Sequence, residues 1–333
     1  MKRYIVGIDG GGTKMKLKAF YADMLLSAEP AEPDKHFPAE TVYAAAGVSE
    51  SGGSNLTAES EEKVRGNLRE LFRDLFDNHG LHADSCACVC LGTAGATGGA
   101  RAQKLTGFLK EILPSAHIIV TSDIYTSLYG GTLSDMGIVL NSGTGSFCFG
   151  RDENGESCRV GGWGHIISDE GSGYYIGQRV LNAVTKSIDG RGERTSMADM
   201  VSDAVGGNTN QDIVDFVHSG RQTKKDIASF ALVCEKAFSE HDKVAGEITA
   251  GAAAELASMV RPVVRKLGLS DKQVSCVYTG SILTKFEGLR NITASLINSE
   301  FPAVRFEPCR EDAAWGAVLI CLEWLKFNQN SIR

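Results

Sequence analysis

Two glycine-rich turns have the residue types that bind a phosphate group. The first lies in GIDGGGTK, residues 7–14, and the second in NSGTGS, residues 141–146. Glycine lets backbone amides approach an anion closely, because no Cβ intervenes and positive φ is allowed, and a Thr hydroxyl adds a further donor. This chemistry singles out Gly10, Gly11, Gly12, Thr13 and Lys14 in the first turn, and Gly143, Thr144 and Gly145 in the second.

Either turn taken alone would be interpreted as an ordinary tight hairpin. Two such turns, with Asp9 at the end of the strand before the first, favour a nucleotide instead, because each turn could hold one end of a triphosphate. Asp9 would then lie beside the phosphates and bind Mg²⁺, directly or through water.

The segments around the first turn exclude two common nucleotide-binding designs. Residues 4–8 form a short apolar run typical of a strand, and from Lys14 basic and apolar residues alternate, which predicts a second, half-exposed strand. A P-loop and a GxGxxG dinucleotide site both need a helix behind their glycines. The first turn joins strand to strand and therefore belongs to neither class.

The rest of the chain alternates between strand and helix patterns. Apolar periodicity predicts helices over residues 59–77 and 100–112, and CACVCLG and HIIVTSD are typical of strands. Residues 173–268 are mostly helical in pattern, KQVSCVYTGS predicts a strand, and an amphipathic helix is predicted from Asp312. Loops are predicted at residues 47–55, 151–157 and 189–196. This alternation indicates an α/β fold, and the repeated hairpin suggests a duplicated one.

Composition narrows the function classes. A length of 333 residues favours two domains, and 34 basic against 41 acidic residues give a net charge of −7 without a basic run, so we expect no nucleic-acid partner. The N-terminus lacks the apolar region of a signal peptide, and AAWGAVLICLEWL is too short to span a bilayer. We expect a cytoplasmic protein with no membrane partner.

The cysteines predict no metal centre. There are nine, no CxxC pair occurs, and CACVC places three thiols at the period of a strand. We expect reduced, mostly buried thiols rather than a metal or Fe–S site.

Five segments together carry a resemblance to a known family. GIDGGGTK, TSDIYTS, NSGTGS, GGWGHIISDEGSGYYIG and YTGS resemble the sugar-kinase and actin-like ATPase superfamily, in particular the BadF/BadG/BcrA/BcrD ATPase family. GGWGH with SDEGS is the most specific segment, because a generic ATPase has no need of it. The resemblance implies two ribonuclease H-like α/β domains around a nucleotide-binding cleft. Residues 1–125 plus 312–333 would form the small domain, and residues 126–311 the large one.

The resemblance also implies site residues. Thr13 and Thr144 match the family's phosphate-loop threonines, and Ala228 and the YTGS residues Gly280 and Ser281 match positions that line the nucleotide. Sugar binding is implied for Asn55, Asp123, Gly162, Trp163, Gly164 and Asp169.

Three acidic residues also have chemical arguments of their own. Asp123 follows the strand HIIVTS, at the edge where α/β proteins bind ligands, and could accept a proton from a sugar hydroxyl as a general base. The alternative is a helix N-cap, which Ser122 could supply equally well. Asp169 and Glu170 could accept hydrogen bonds from sugar hydroxyls, the alternative being a solvated turn or a helix cap.

By resemblance, the predicted function is transfer of the γ-phosphoryl of Mg²⁺·ATP to the 6-hydroxyl of an amino sugar, with N-acetylglucosamine as the first expectation and a homodimer left open. Val160 stands where the family's glucosaminide kinases can carry a Cys, so glucosamine and N-acetylmuramic acid stay open as acceptors. One rival is an ATPase activator of a CoA-linked dehydratase or reductase, with Cys148 and Cys158 as cluster candidates. Another is a sensor without turnover, which would have no need of Asp123.

Overall fold

The computed structural model describes residues 2–12, 14–27, 39–40, 43–57, 59–96, 99–207, 210–220 and 222–328. The chain divides into two compact units, which we call unit 1 (Met1–Gly137 with Cys309–Arg333) and unit 2 (Ile138–Pro308). Each unit contains one five-stranded sheet with helices packed on it. The predicted α/β, two-domain fold is confirmed, whereas the assignment of a small and a large domain stays a prediction.

The sheet of unit 1 combines antiparallel and parallel strands. Its strands are β1 (Tyr4–Gly10), β2 (Lys14–Tyr21), β3 (Gly47–Gly52), β4 (Cys86–Thr93) and β5 (His117–Thr121). They lie in the order β3-β2-β1-β4-β5, in which β1, β4 and β5 are parallel and β2 is antiparallel to both of its neighbours. The carboxyl ends of the three parallel strands therefore meet at one edge of the sheet, where α/β proteins bind ligands.

Unit 2 repeats this topology. Its strands are β6 (Gly137–Ser142), β7 (Ser146–Arg151), β8 (Ser157–Gly161), β9 (Val274–Thr279) and β10 (Val304–Pro308). They lie in the order β10-β9-β6-β7-β8, with β9 parallel to both β6 and β10 and β7 antiparallel to β8. Each glycine-rich turn connects the first two strands of its unit, β1 to β2 and β6 to β7, as the sequence predicted.

The helices follow the predicted pattern closely. For example, the helix predicted over residues 59–77 begins at Glu61, because the Ser60 hydroxyl accepts a hydrogen bond from the Lys63 amide and caps it. The helices of unit 1 are α1 (Ala22–Leu26), α2 (Glu61–His79), α3 (Gly99–Ile112), α4 (Asp123–Thr132) and the last helix, α13 (Ala313–Phe327). Those of unit 2 are α5 (Gly173–Ile188), α6 (Met197–Val205), α7 (Asn210–His218), α8 (Lys224–Ser229), α9 (Ala231–Ser239), α10 (Lys243–Lys266), α11 (Ser281–Lys285) and α12 (Glu287–Glu300).

The loop predicted over residues 47–55 is wrong for its first part. Gly47–Gly52 forms β3, which pairs with β2 over Lys14 to Ala19. The segment GVSESG has few apolar residues, so its extended conformation comes from pairing with a strand that is distant in sequence. The chain leaves the sheet at Gly53, two residues before Asn55.

The C-terminal helix is not amphipathic as predicted. Every residue from Ala314 to Leu322 is buried, because α13 packs against both the sheet and α4. A Cβ built on Gly316 would lie 1.9 Å from the Thr126 carbonyl oxygen of α4, and one built on Gly7 of β1 would lie 2.2 Å from the Ala314 carbonyl oxygen. Glycine on both sides allows this close packing, which brings Asp312 to the ligand-binding edge of unit 1.

The cysteines are mostly buried, as predicted. Seven thiols are buried and Cys158 and Cys309 are half-buried, and none of the nine forms a disulfide. Cys148, a cluster candidate of the activator hypothesis, lies in the hydrophobic core of unit 2. Across the described residues no group of three or more His, Cys, Asp or Glu side chains is arranged to hold a metal ion by itself, and the described helices include none with the length and apolar character of a membrane span.

Candidate functional site

The first glycine-rich turn is a tight hairpin held against a neighbouring loop. The Gly11 amide donates to the Lys14 carbonyl oxygen over 2.9 Å, and the Ser54 amide donates to the Gly11 carbonyl oxygen over 3.1 Å. A Cβ built on Gly10 would lie 2.3 Å from Ser54 Oγ, so glycine is required there by close approach rather than by positive φ. The neighbouring Asn55, a predicted sugar residue, is thereby placed beside the turn, and its Oδ1 accepts from the Thr57 amide.

The described part of the chain does not test the nucleotide contacts predicted for two residues of this turn, Thr13 and Lys14. Thr13 lies outside the described residues. Lys14 is exposed and forms an ion pair with Glu50 of β3, with 2.6 Å between Nζ and Oε2. Its predicted contact with a nucleotide stays a prediction.

Asp123 lies at the start of α4 but is not its N-cap. The cap is Ser122, whose hydroxyl accepts from the Ile124 amide over 3.2 Å. The Asp123 carboxylate also accepts from the Ile124 amide, over 3.0 Å, and the first turn of α4 is a favourable position for negative charge. The capping role that competed with catalysis in the sequence thus belongs to Ser122, while Asp123 stands at the carboxyl end of β5.

Asp9 lies in an unusually acidic part of unit 1. Burial raises its pKa to about 6 from 3.8, helped by the negative charges of Asp312 and Asp123 and opposed by Lys16. Lys16 lies opposite Asp9 in the β1–β2 pairing. Asp9 thus has two carboxylates near it that disfavour its charge, an environment that a cation would stabilise.

Asp312, one of these carboxylates, forms ion pairs with two lysines of β2. Asp312 Oδ2 accepts from Lys16 Nζ over 2.7 Å and from Lys18 Nζ over 2.9 Å, and Lys18 is only 6% exposed although the sequence predicted a half-exposed strand. Burial acts to raise the pKa of Asp312, but the hydrogen bonds from Lys16, Lys18 and the Trp315 amide lower it. Asp312 also caps α13, since its Oδ1 accepts from the Trp315 amide over 3.0 Å.

These residues fit Mg²⁺ as a cation shared with a substrate. Mg²⁺ is usually held by one or two carboxylates together with water and phosphate oxygens, rather than by a cage of protein ligands alone. The raised pKa of Asp9 identifies a carboxylate whose charge lacks full compensation in this environment. Asp9 is thus the residue of unit 1 that would hold Mg²⁺, and the ion would neutralise phosphate charge.

The raised pKa of Asp9 predicts an unusual dependence of stability on pH. A carboxyl whose pKa is higher in the folded state stabilises the fold below pH 3.8, and this contribution is lost as the pH rises through about 6. At pH 8 the loss amounts to about 3 kcal/mol, at 1.36 kcal/mol per pKa unit. Asp9→Asn should therefore raise the free energy of unfolding at pH 8, and the gain should shrink towards zero near pH 4.

Urea unfolding of wild type and variant at the two pH values measures this difference. Asp77→Asn, which replaces an exposed carboxylate on α2, is the matched control. Its difference from the wild type in free energy of unfolding should be nearly the same at pH 4 and pH 8. A gain for Asp9→Asn that is the same at both pH values would contradict the acidic environment described for Asp9.

The second glycine-rich turn lies in unit 2 against the segment that follows GGWGH. The Gly143 amide donates to the Gly145 carbonyl oxygen over 2.9 Å, and the Gly173 amide donates to the Gly143 carbonyl oxygen over 2.8 Å. The Ser142 and Ser146 hydroxyls, on either side of the turn, donate to the carbonyl oxygens of Gly171 and Glu170. The turn and residues 169–173 are therefore one rigid assembly within unit 2.

Gly280 of the YTGS motif also contacts this turn. Its φ is +87° with ψ of 148°, a conformation that is essentially confined to glycine. A Cβ there would lie 2.3 Å from the Ser142 carbonyl oxygen and 2.7 Å from the Gly143 amide nitrogen. The structure thus brings together Gly280, Ser281 and the turn, which the sequence separates by more than a hundred residues.

A cavity of about 230 Å³ opens beside the turn, entirely within unit 2. Four of the predicted nucleotide residues line it: Gly143, Thr144, Ala228 and Ser281. Its remaining lining is largely apolar, with Leu232, Ile282 and Phe286, and it includes Lys225, Glu235 and Lys285 as charged groups. An apolar cavity next to a glycine-rich turn suits a planar base at one end and phosphates at the other.

The predicted sugar residues of unit 2 follow β8 in one loop. Gly161, Gly162 and Gly164 all have positive φ, and the Ser168 amide donates to the Gly164 carbonyl oxygen over 2.8 Å. Trp163 is 78% exposed, so its indole is not part of the core. A large exposed ring on a glycine-shaped loop could pack against a sugar face.

Asp169 ends this loop in a strained and buried position. It has a φ of +66°, rare for a residue other than glycine, and is only 4% exposed. Its Oδ2 accepts from Lys224 Nζ over 2.7 Å, and a Cβ on Gly145 would lie 2.8 Å from the same oxygen. The interpretation of Asp169 as a solvated turn residue is therefore wrong, while its contact with a sugar stays a prediction.

Sequence reasoning missed several residues of these sites. Lys16 and Asp312 act on the charge of Asp9, Lys18 pairs with Asp312, and Lys224 pairs with Asp169. Asp312 is 303 positions from Asp9, so no local pattern connects them. Lys224 follows Thr223 in TKKD. Its place four residues before Ala228, a predicted nucleotide residue, is the one local sign that it could belong to the site.

Comparison with known proteins places the chain in a family. Residues 6–321 match the BadF/BadG/BcrA/BcrD ATPase family. The chain belongs to that family. An N-acetylmuramic acid/N-acetylglucosamine kinase from Clostridium acetobutylicum is 33% identical over 96% of this chain and 98% of the relative. An N-acetyl-D-glucosamine kinase from Dictyostelium discoideum is 26% identical over 96% of this chain and 98% of the relative.

A solved structure agrees on the fold. A Chromobacterium violaceum protein, provisionally named an N-acetylglucosamine kinase, has a TM-score of 0.72 and 23% identity, covering 96% of this chain and 99% of that one. The family predicted from the sequence motifs is confirmed. The predicted enzyme class is confirmed with it, because the relatives with which the chain aligns are sugar kinases.

Proposed function

We propose that this protein transfers the γ-phosphoryl group of ATP to the 6-hydroxyl of an amino sugar. The observation that carries the proposal is the cavity of unit 2, which opens beside the Gly143–Gly145 turn and is lined by Thr144, Ala228 and Ser281. It combines an apolar space for a base with backbone amides for phosphates. Phosphoryl transfer needs mainly such positioning and charge neutralisation.

The acceptor side of the reaction is assigned to Asp123. Its carboxylate would accept the proton of the sugar 6-hydroxyl as that oxygen forms its bond to the γ-phosphorus. The bond between the γ-phosphorus and the β,γ-bridging oxygen breaks, and ADP leaves with that oxygen. Asp9 would hold Mg²⁺, whose charge offsets that of the phosphates.

The sugar itself is assigned to the loop that follows β8 and to Asn55. Trp163 offers an exposed ring, the backbone of Gly162 and Gly164 offers hydrogen-bonding groups, and Asp169 offers a buried carboxylate that can accept hydrogen bonds from sugar hydroxyls. A buried acceptor left unpaired by an analogue without the hydroxyl would reject that analogue.

N-acetylglucosamine is the acceptor that we place first. It appears in the names of the Clostridium acetobutylicum and Dictyostelium discoideum kinases, and the first of these also names N-acetylmuramic acid. Coupled ADP release with Mg²⁺·ATP should therefore be measured against glucose, glucosamine, N-acetylglucosamine, N-acetylmuramic acid and N-acetylmannosamine. We expect turnover with the N-acetylated glucose derivatives and at least about tenfold lower kcat/KM with glucose, because the acetamido group contributes about 1–3 kcal/mol of binding.

Equal kcat/KM across the panel would contradict selection of an amino sugar. Absence of turnover with every sugar, together with normal ATP binding, would favour a sensor or an activator. A cytoplasmic location and a homodimer are further parts of this proposal; equilibrium ultracentrifugation tests the second.

A further inference from the structure

Asp169 is more constrained than a sugar-binding carboxylate needs to be. A left-handed backbone conformation costs about 1–3 kcal/mol for a residue other than glycine, and a buried carboxylate needs a partner of opposite charge. Lys224 supplies that charge from α8, 55 positions later in the chain. The strain and the ion pair together hold the carboxylate in one place.

The position of Lys224 is fixed by its surroundings. The Thr223 hydroxyl accepts from the Asp226 amide, and Asp226 Oδ2 accepts from the Thr223 amide, so a reciprocal capping box encloses the start of α8. A Cβ on Gly177 of α5 would lie 2.0 Å from the Ile227 carbonyl oxygen, so the two helices are in close backbone contact. Lys224 therefore projects from a held backbone rather than from a mobile loop.

The ammonium of Lys224 lies against the glycine-rich turn. A Cβ on Gly145 would be 3.2 Å from Lys224 Nζ and 2.8 Å from Asp169 Oδ2, so both charged atoms contact the same point of the turn. Lys225, the next residue, lines the nucleotide cavity together with Gly143 and Thr144. The Lys224 ammonium thus lies at Gly145 of the turn, and the neighbouring residue Lys225 lines the cavity beside the same turn.

Lys224 also retains the capacity to bind an anion. An ammonium has three hydrogen-bond donors, and within the described part of the chain Asp169 is its hydrogen-bonded acceptor. Its side chain is 32% exposed, whereas that of Asp169 is 5% exposed. An anion arriving at the turn can therefore reach the ammonium without displacing Asp169.

We infer that Lys224 is a phosphate-contacting residue, whose ammonium donates to a phosphate oxygen of the nucleotide at the Gly143–Gly145 turn while it keeps its ion pair with Asp169. This inference rests on the proposed function and adds a specific cation to it. It also gives Asp169 a second task, since the carboxylate holds the ammonium at the turn.

Nucleotide affinity separates this role from a structural one. Lys224→Met removes the charge with little change of volume, and we expect the Kd of the non-hydrolysable analogue adenosine 5′-(β,γ-imido)triphosphate to rise roughly 10- to 100-fold, the effect of losing one hydrogen bond to a charged group. The Kd of adenosine, which has no phosphate, should stay unchanged. Lys236→Met, an exposed lysine on α9, is the control and should change neither value.

The single variant leaves Asp169 buried without its partner and could fail to fold. We therefore add Asp169→Asn and the double variant Asp169→Asn/Lys224→Met, which has no orphaned charge. The double variant should bind the triphosphate analogue roughly 10-fold or more weakly than Asp169→Asn alone. Isothermal titration with the analogue, and competition by adenosine, provide both values.

Equal affinities of Asp169→Asn and the double variant for the triphosphate would overturn the inference, as would an equal loss of triphosphate and adenosine binding. If the wild type itself binds no triphosphate, the proposed function fails and the inference fails with it. If the wild type binds ATP and phosphorylates a sugar while the variants keep full affinity, only the inference on Lys224 fails.

Discussion

Asp123→Asn should lower kcat by roughly 10²–10⁴-fold, the usual contribution of a general base. The amide keeps the shape of the carboxylate and can still accept from the Ile124 amide, so the start of α4 should be preserved. Nucleotide affinity should stay near that of the wild type, because the cavity assigned to the nucleotide is built from residues of unit 2. Steady-state kinetics with saturating sugar, together with titration of the ATP analogue, measures both quantities.

Ser122→Ala is the matched control, one residue earlier. It removes the observed N-cap and should cost about 1 kcal/mol of stability with kcat reduced by no more than a small factor. Full turnover of Asp123→Asn would remove Asp123 from the mechanism. Equal losses of activity in the two variants would show that the start of α4 matters through its fold and not through a base.

Gly280→Ala should strongly impair both stability and nucleotide binding. The added Cβ would lie 2.3 Å from the Ser142 carbonyl oxygen, and backbone atoms on both sides leave no flexible side chain to move aside. The φ of +87° adds conformational strain for any L-residue with a Cβ. Overpacking and strain together are expected to cost roughly 2–5 kcal/mol. Because the displaced atoms belong to the Gly143 turn, the affinity for the ATP analogue should fall at least about 10-fold.

Gly246→Ala gives the corresponding control in α10. A Cβ there meets no atom within 4 Å, so the substitution should stabilise the protein by about 0.5–1 kcal/mol through the higher helix propensity of alanine. Thermal and urea unfolding measure the stability of both variants. A Gly280→Ala protein with wild-type stability and wild-type nucleotide affinity would contradict the close contact of YTGS with the turn.

The sequence predicts the features of this protein that depend on local pattern. Strand-to-strand turns, the repeated hairpin and the helix at Glu61–His79 all follow from alternation, periodicity and capping residues. The family also follows from the sequence, because GGWGH with SDEGS is a distinctive combination.

The features that the sequence does not predict depend on distant pairing. GVSESG resembles a loop until β2 is placed beside it, and the apolar residues of α13 suggest an amphipathic helix until both the sheet and α4 are seen to cover it. Lys18 is buried with two charged partners, Glu40 and Asp312, and Asp312 comes from the far end of the chain. Beyond its place before Ala228, Lys224 has no local sign of function, because its importance lies in its contact with Asp169 and the turn.

The two acidic environments illustrate the same limit. Asp9 was predicted as a cation ligand from its place after a strand, but its raised pKa arises from burial and from two carboxylates that are distant in sequence. The sequence alone also allows Asp169 to be a solvated turn residue, and its burial excludes that alternative. In both cases the residue type was visible in the sequence and its electrostatic environment was not.

The most direct test of the central claim is the identity of the product formed from Mg²⁺·ATP and N-acetylglucosamine. Proton–phosphorus correlation NMR of the reaction mixture locates the phosphate on the sugar, and ADP is quantified in the same sample. We expect one ADP for each sugar phosphate, with the phosphorus coupled to the protons on carbon 6. ADP formed without sugar phosphate, or a phosphate coupled to any other sugar proton, would contradict it.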